Sequence, residues 1–422
     1  MSTLRSAPVD FPSVVVRTAP IGDPGPLLRL LPEAESLAWL RRGQGLVGWG
    51  CAARVETAGR SRFADAHDWW RSLAGRAVVR DELGVPGTGL VAFGSFSFAD
   101  DSADSSGLVL PEVVVGHRVV DGEPRWWVTT VAVDAIAPAP RLAASSDPAP
   151  PAGLSYADGA MPGALWAHQV ERAVERIASS PLEKVVLARD LLATAPEHID
   201  LRWPLGRLAD AYPSCWTFGV DGLFGATPEL LVRRERGLVT SRVLAGTIRR
   251  TGDDAHDLAL AGALARSSKD LEEHEYAVRS VASALAPHCS SMNVPETPFV
   301  LHLPNVMHLA TDVAGVSADG ATALQLAAAL HPSAAVGGTP TDLAVRTLAE
   351  LESMDRGRYA GPVGWTDSAG DGEWGIALRC GRADGPRVRL FAGCGIVAGS
   401  DPAEELAEAQ AKFVPMRDAL GA

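Results

Sequence analysis

Extended apolar runs closed off by tight glycine turns recur along this chain, and they constrain its fold more than any other feature. "VVDGEPRWW" and "WTFGVDGLFGAT" set Asp121-Gly122 and Asp221-Gly222 between two such runs. Asp-Gly tolerates the positive φ of a two-residue hairpin turn, so each pair predicts two adjacent antiparallel strands. A second turn follows at Glu235 to Gly237, and "GLVGWGCAARVET", "GLVAFGSFSF", "LPEVVVGHRVV" and "PRWWVTTVAV" read as further strands. Helical stretches are fewer. They fall on "FADAHDWWRSLAGR", "GALWAHQVERAVERIAS", 253–266, 268–286, 341–353 and from Pro402 onward. Asp401 is a good N-cap for the last, with Pro402 suited to the first helical position, and Ser267 with Asp270 suggests a capping box. Strands grouped in hairpins, with helices between them mostly late in the chain, predict an α+β protein: large, mostly antiparallel sheets packed in a core with helices on the outside.

The stretch "AIAPAPRLAASSDPAPPAGLSYADGAMPG", 135–163, is rich in Pro, Ala and Ser and reads as a surface linker or long loop. It divides the chain into a β-rich region, 1–155, integrated with the core, and a longer region, 156–422. With 422 residues, 47% hydrophobic and 21% charged, the chain can bury a substantial core. The tryptophans are most simply core residues. The net charge of -13 lacks the basic footprint that nucleic acid or an anionic membrane requires, so neither is an expected partner. It also means that an anionic substrate must be held by local cations. Five cysteines without a C-x-x-C pair fit reduced thiols in a cytoplasm. No run is apolar enough for a signal peptide or a membrane span.

Several polar residues sit where the pattern does not need them. Lys184 opens the strand-like "LEKVVLARDL", next to Val185, Val186 and Leu187; on its own this is a strand-end lysine reaching for solvent. In "DPAEELAEAQAKF", Glu405, Glu408 and Lys412 share a helix face, apart from the apolar Leu406 and Phe413. Two glutamates one turn apart can reach one hard cation, or they can form a solvated face with a Glu408–Lys412 pair. In "SSKDLEEHEYAVRSVASAL", Glu272, Glu273 and Glu275 begin a helix, and periodicity does not choose among them. Glu229 in "ATPELLV" reads as a strand-edge glutamate, and His308 as an ordinary buried histidine. The segments "LAGT", 244–247, and "AGCG", 392–395, read as loops whose glycine backbone could approach an anion. Neither matches a nucleotide-binding fingerprint.

Together these segments resemble the chorismate-utilising enzymes, and within them the isochorismate synthases. The resemblance runs through "LEKVVLARDL", "FGATPELLVRR", "RVLAGTIRR", "SSKDLEEHEYAV", "HLATDVAG", "LHPSAAVGGTP", "DRGRYAGPVGWTDSAGDGEWGIALRCG" and "RLFAGCGIVAGSDPAEELAEAQAK", in family order, over roughly 180–415. The first third is similar more weakly, through "PGTGLVAFGSFSF". Departures from the common pattern are "GTIRR" for G-T-R-P-R, "HPSAAVGGTP" for H-P-T-P-A-V-G-G-T-P, and "GCGI" for G-A-G-I.

The resemblance implies that 156–422 is the chorismate-binding catalytic region. It implies a cytoplasmic isomerase that converts chorismate to isochorismate with Mg2+, adding water at C2 and losing the C4 hydroxyl. Lys184 then matches the general base and Glu229 the general acid. Glu273, Glu405 and Glu408 match Mg2+ ligands. Arg379 and Tyr359 match contacts to the enolpyruvyl carboxylate, with Lys412, His308, Gly246, Thr247, Gly393 and Gly395 as further substrate contacts. Salicylate synthase, which continues to salicylate and pyruvate, is the alternative within the family. Aminating relatives do not keep a lysine at the place of Lys184, so no glutamine amidotransferase subunit is expected, and a monomer is. An inert relative would have lost acid, base or metal residues. Whether the product feeds menaquinone, siderophore or salicylate synthesis stays open.

Overall fold

The computed structural model describes residues 13–33 and 36–421. Among them thirteen strands form one sheet and ten a second. Every strand pair is antiparallel except Val14–Ile21 with Val78–Asp81. The expected hairpins form. Trp216–Val220 pairs with Leu223–Thr227 across Asp221-Gly222, and Val113–Val120 with Glu123–Val133 across Asp121-Gly122. Both turns have positive φ at each central residue, as a hairpin following the strand twist requires.

Each sheet is assembled from both ends of the chain. In the first, Thr217 pairs with Leu40; in the second, Val363 pairs with Ser95. The inner faces meet in one core that holds Trp39, Phe218, Trp365 and Trp374. Helices Gly163–Ser179, Arg202–Ala211 and Pro402–Leu420 pack on the first sheet, and Ser268–Leu285 and Ala323–Leu330 on the second. The expected architecture, large antiparallel sheets with helices outside, is the one observed. No helix among the described residues is long and apolar enough to cross a membrane.

Three local expectations are corrected. The 135–163 stretch is not all linker: Ser155–Asp158 is a strand that pairs with Lys184–Thr194, and Gly163 begins a helix. "LAGT" and "AGCG" are not loops, since they lie inside the long strands Leu238–Arg249 and Arg387–Ile396. Their glycines serve close approach. A Cβ on Gly395 would come within 2.5 Å of Glu273 Oε1, and one on Gly393 within 2.9 Å of the Tyr359 hydroxyl. Gly246 has φ +75° at a bulge between Ala245 and Thr247, which breaks the ladder with the facing strand Val306–Ser317.

Candidate active site

A cavity of about 240 Å³ is lined from both sheets and from the helices Ser268–Leu285 and Pro402–Leu420. All thirteen residues singled out from the sequence line it: Lys184, Glu229, Gly246, Thr247, Glu273, His308, Tyr359, Arg379, Gly393, Gly395, Glu405, Glu408 and Lys412. They come from positions 184 to 412, yet the strand ladders bring them together. Val185, next to Lys184, pairs with Ile396, next to Gly395, and Thr247 pairs with His308.

Lys184 does not reach solvent. It is 1% exposed, and its ammonium lies 2.9 Å from Glu273 Oε1. A buried ammonium needs such a partner. Glu229 is buried too, on the turn before the strand Leu230–Glu235. The hydrogen bond found for its carboxylate is a long one, 3.4 Å from the Leu244 backbone N–H. Burial therefore dominates and pushes the Glu229 carboxyl up to about 7, against the opposing pull of Lys184, Arg379 and Lys412.

The last helix does not present a solvated acidic face. Asp401 caps it through the N–H groups of Ala403 and Glu404. Its start is set against the first sheet, where Glu405 and Lys412 become buried. Burial, then the neighbouring Glu408, pushes Glu405 up to about 7, while Ser400 donates to it at 2.7 Å. Burial also opposes the charge on Glu408. Its 2.6 Å pair with Lys412 prevails and holds the carboxyl below the usual range. Lys412 also donates to the Gly393 carbonyl at 2.8 Å. Lys269, one turn before Glu273, approaches Glu405 at 3.8 Å.

The carboxylate oxygens of Glu405 and Glu408 and the Cys394 sulfur lie within 4.8 Å of one another. Cys394 is fully buried and donates to the Glu405 carbonyl, and burial raises its thiol well above the ordinary value. A protonated thiol is a poor ligand for a hard cation. Glu273 stands outside this tight group, on Lys184. Three carboxylates in one cavity, each opposed by an ammonium, are a hard-oxygen donor set that fits Mg2+.

Arg379, which also lines the cavity, has φ +47° in the turn before the strand Cys380–Asp384, an uncommon backbone for arginine. Its guanidinium reaches His308 Nε2 at 3.4 Å. Burial, then Arg379 and Lys412, pushes His308 well below its ordinary value, so the ring is neutral. Guanidinium only donates, so Nε2 accepts; Nδ1–H then points to Thr247 Oγ1, 3.0 Å away. Tyr359 stacks on Phe391, and burial raises its hydroxyl to about 12, which keeps it a donor.

Among the charged lining residues that sequence reasoning missed are Lys269, Asp270 and Arg356. The first two share the helix of Glu273 one turn earlier, a spacing that could have found them. Arg356 is buried and tied to Glu352, and it donates to the carbonyls of Val186 and Val336; Glu352 in turn accepts from Ala188 N. This bracket fixes the strand that Lys184 opens. Its signal was the i,i+4 Glu-Arg pair.

A family model described as "Chorismate binding enzyme" matches residues 32–421. An isochorismate synthase of Bacillus subtilis, DhbC, is 44% identical over 264 residues, 60% of this chain and just under two thirds, 66%, of its own length. A salicylate-biosynthesis isochorismate synthase of Pseudomonas aeruginosa is 34% identical over 412 residues, 92% of this chain and 86% of that protein. Among solved structures, a putative 2,3-dihydroxybenzoate-specific isochorismate synthase of Bacillus anthracis superposes with a TM-score of 0.76 at 30% identity. That match covers 94% of this chain and 98% of the other.

Proposed function

This chain belongs to the chorismate-binding enzymes, and from that premise we propose that it is an isochorismate synthase. The observation that carries the reading is the pairing, across one cavity, of a buried lysine with a buried glutamic acid that holds its proton near neutral pH. Isomerising chorismate to isochorismate needs both. Water must lose a proton as its oxygen bonds to C2. The ring double bonds then shift, and the C4 hydroxyl leaves only if it is protonated. Lys184, as the neutral amine, takes the proton from the attacking water and becomes an ammonium, and Glu229 gives its proton to the departing hydroxyl. Each returns to its starting state by exchange with solvent, so water is consumed and released in equal amount.

Glu273, Glu405 and Glu408 would hold Mg2+, which supplies a positive charge for the ring carboxylate of the substrate. Arg379 and Tyr359 take the enolpyruvyl carboxylate, the guanidinium by its fork of donors. Lys412, the neutral His308 and the backbone at Gly246, Thr247, Gly393 and Gly395 complete the substrate contacts. Arg379 and Lys412 supply the local cations that a chain of net charge -13 otherwise lacks. Catalysis falls to 156–422, with 1–155 integrated into the same core. The reading includes a monomer acting in the cytoplasm without an amidotransferase subunit.

The test is product analysis after incubation with chorismate and Mg2+. Isochorismate as the single product is expected. Salicylate with pyruvate would reassign the chain to the salicylate synthases, and no turnover would overturn the reading.

A further inference from the structure

The chain carries 38 lysines and arginines, and three of these are lysine: Lys184, Lys269 and Lys412. All three line the cavity. Each faces a different carboxylate of the trio assigned to the metal. Lys184 lies 2.9 Å from Glu273, Lys269 3.8 Å from Glu405, and Lys412 2.6 Å from Glu408. Elsewhere among the described residues carboxylates pair with arginine, including the buried Glu352 and Glu373, or with histidine at Glu171 and Asp319.

The two cations differ in a way that matters here. A guanidinium holds a carboxylate through a planar fork and is slow to surrender it, whereas an ammonium is a compact point charge on a flexible stem. Gathered carboxylates repel one another unless cations stand among them. Three ammonium groups satisfy them without a fork that a metal would have to break. Each lysine also has somewhere to go. Lys412 keeps its 2.8 Å bond to the Gly393 carbonyl, Lys269 is half-exposed and can return to water, and Lys184 is left free to receive the reacting water.

We propose that the three lysines are placeholder cations: each holds one carboxylate in the metal-free protein and yields it when a divalent cation binds. This rests on the reading of Glu273, Glu405 and Glu408 as the metal site. It adds that metal binding is an exchange of cations, and that the exchange frees Lys184 for its role.

Because the chain has no other lysine, selective 13C labelling of lysine gives side-chain NMR signals from this site alone. Mg2+ alone is titrated into the metal-free protein at constant ionic strength, with calorimetry in parallel. All three Cε signals are expected to shift with one shared midpoint. The affinity of Lys269→Met for Mg2+ is expected to rise about 2- to 5-fold, the size of a part-exposed ion pair, and that of Lys269→Arg to fall. Mg2+ binding with unmoved lysine signals would overturn the proposal, as would a Lys269→Met affinity that is unchanged or weaker, or no Mg2+ binding at all. Chorismate turnover keeps the two readings apart. Turnover with unmoved lysines leaves the function and removes the placeholder role; displaced lysines without turnover do the reverse.

Discussion

Two buried glutamates on neighbouring segments of one sheet, Glu229 and Glu373, have opposite characters. Their strands run side by side, with Leu230 facing Gly375 and Arg233 facing Glu373. Both residues are buried, 4% and 6% exposed. Around Glu373, Arg118 and Arg233 pair at 3.0 and 3.1 Å, and the indole N–H groups of Trp39 and Trp216 donate at 2.9 and 3.1 Å. Burial opposes the charge there, but these partners outweigh it and hold Glu373 below the usual range. Glu229 has one long backbone bond, so burial wins and its carboxyl rises to about 7. Burial alone therefore does not make a catalytic acid. A buried carboxylate ringed by donors is a structural ion, and one left short of donors is poised to give up a proton.

The largest effect expected from breaking this contrast is on turnover. Glu229→Gln keeps the shape and removes the transferable proton, so kcat for chorismate should fall about 10²- to 10⁴-fold. In the wild type, kcat/KM should decline as pH rises through about 7, where free Glu229 loses its proton. Full activity in the variant, measured by product formation, would remove Glu229 from the mechanism.

The counterpart change at the structural ion acts on stability. Glu373→Gln deprives the part-buried Arg233 of its carboxylate and leaves Arg118 with Glu235 alone, and should cost about 1–3 kcal/mol in denaturant unfolding. The turnover of the molecules that remain folded should hardly change. Unchanged stability, or a specific loss of activity, would mean that the two glutamates are less distinct than their surroundings indicate.

The third effect sharpens the comparison through its sign. A carboxyl raised from 4.5 to about 7 in the folded state penalises folding once it must ionise. The penalty is absent below about 4.5, grows between there and about 7, and is complete above. It amounts to about 3 kcal/mol. Glu229→Gln should therefore be more stable than the wild type at pH 8 and equal to it at pH 4, by thermal unfolding. A variant that is no more stable at pH 8 would contradict the raised carboxyl.

Much of this was legible in the sequence, for local reasons. Asp-Gly pairs announce hairpins because few other residues take the required φ, and Asp401-Pro402 announces a helix start. Of the thirteen residues, helical spacing grouped Glu405, Glu408 and Lys412, and the roles of all thirteen followed from the family motifs. What local pattern could not carry was sheet membership and burial. "GLVGWGCAARVET" reads as one strand, yet Gln44–Trp49 and Ala53–Thr57 belong to different sheets. Glycine inside "LAGT" and "AGCG" reads as turn, although at Gly393 and Gly395 it marks a strand against which Tyr359 and Glu273 pack too closely for a Cβ. The faces of Glu405, Glu408 and Lys412 were readable from spacing, but whether that face met water or protein depended on contacts hundreds of residues away. The helix Arg202–Ala211, with Pro204 in its first turn, gave no clear periodic signal.

The account stands most directly on where the new hydroxyl comes from. Chorismate and Mg2+ would be incubated with the protein in 18O-labelled water, and the product isolated and its oxygens located by mass spectrometry and NMR. Isochorismate carrying the label at C2 is the predicted result. Unlabelled isochorismate would mean that the hydroxyl migrates without a water activated by Lys184, and would contradict it.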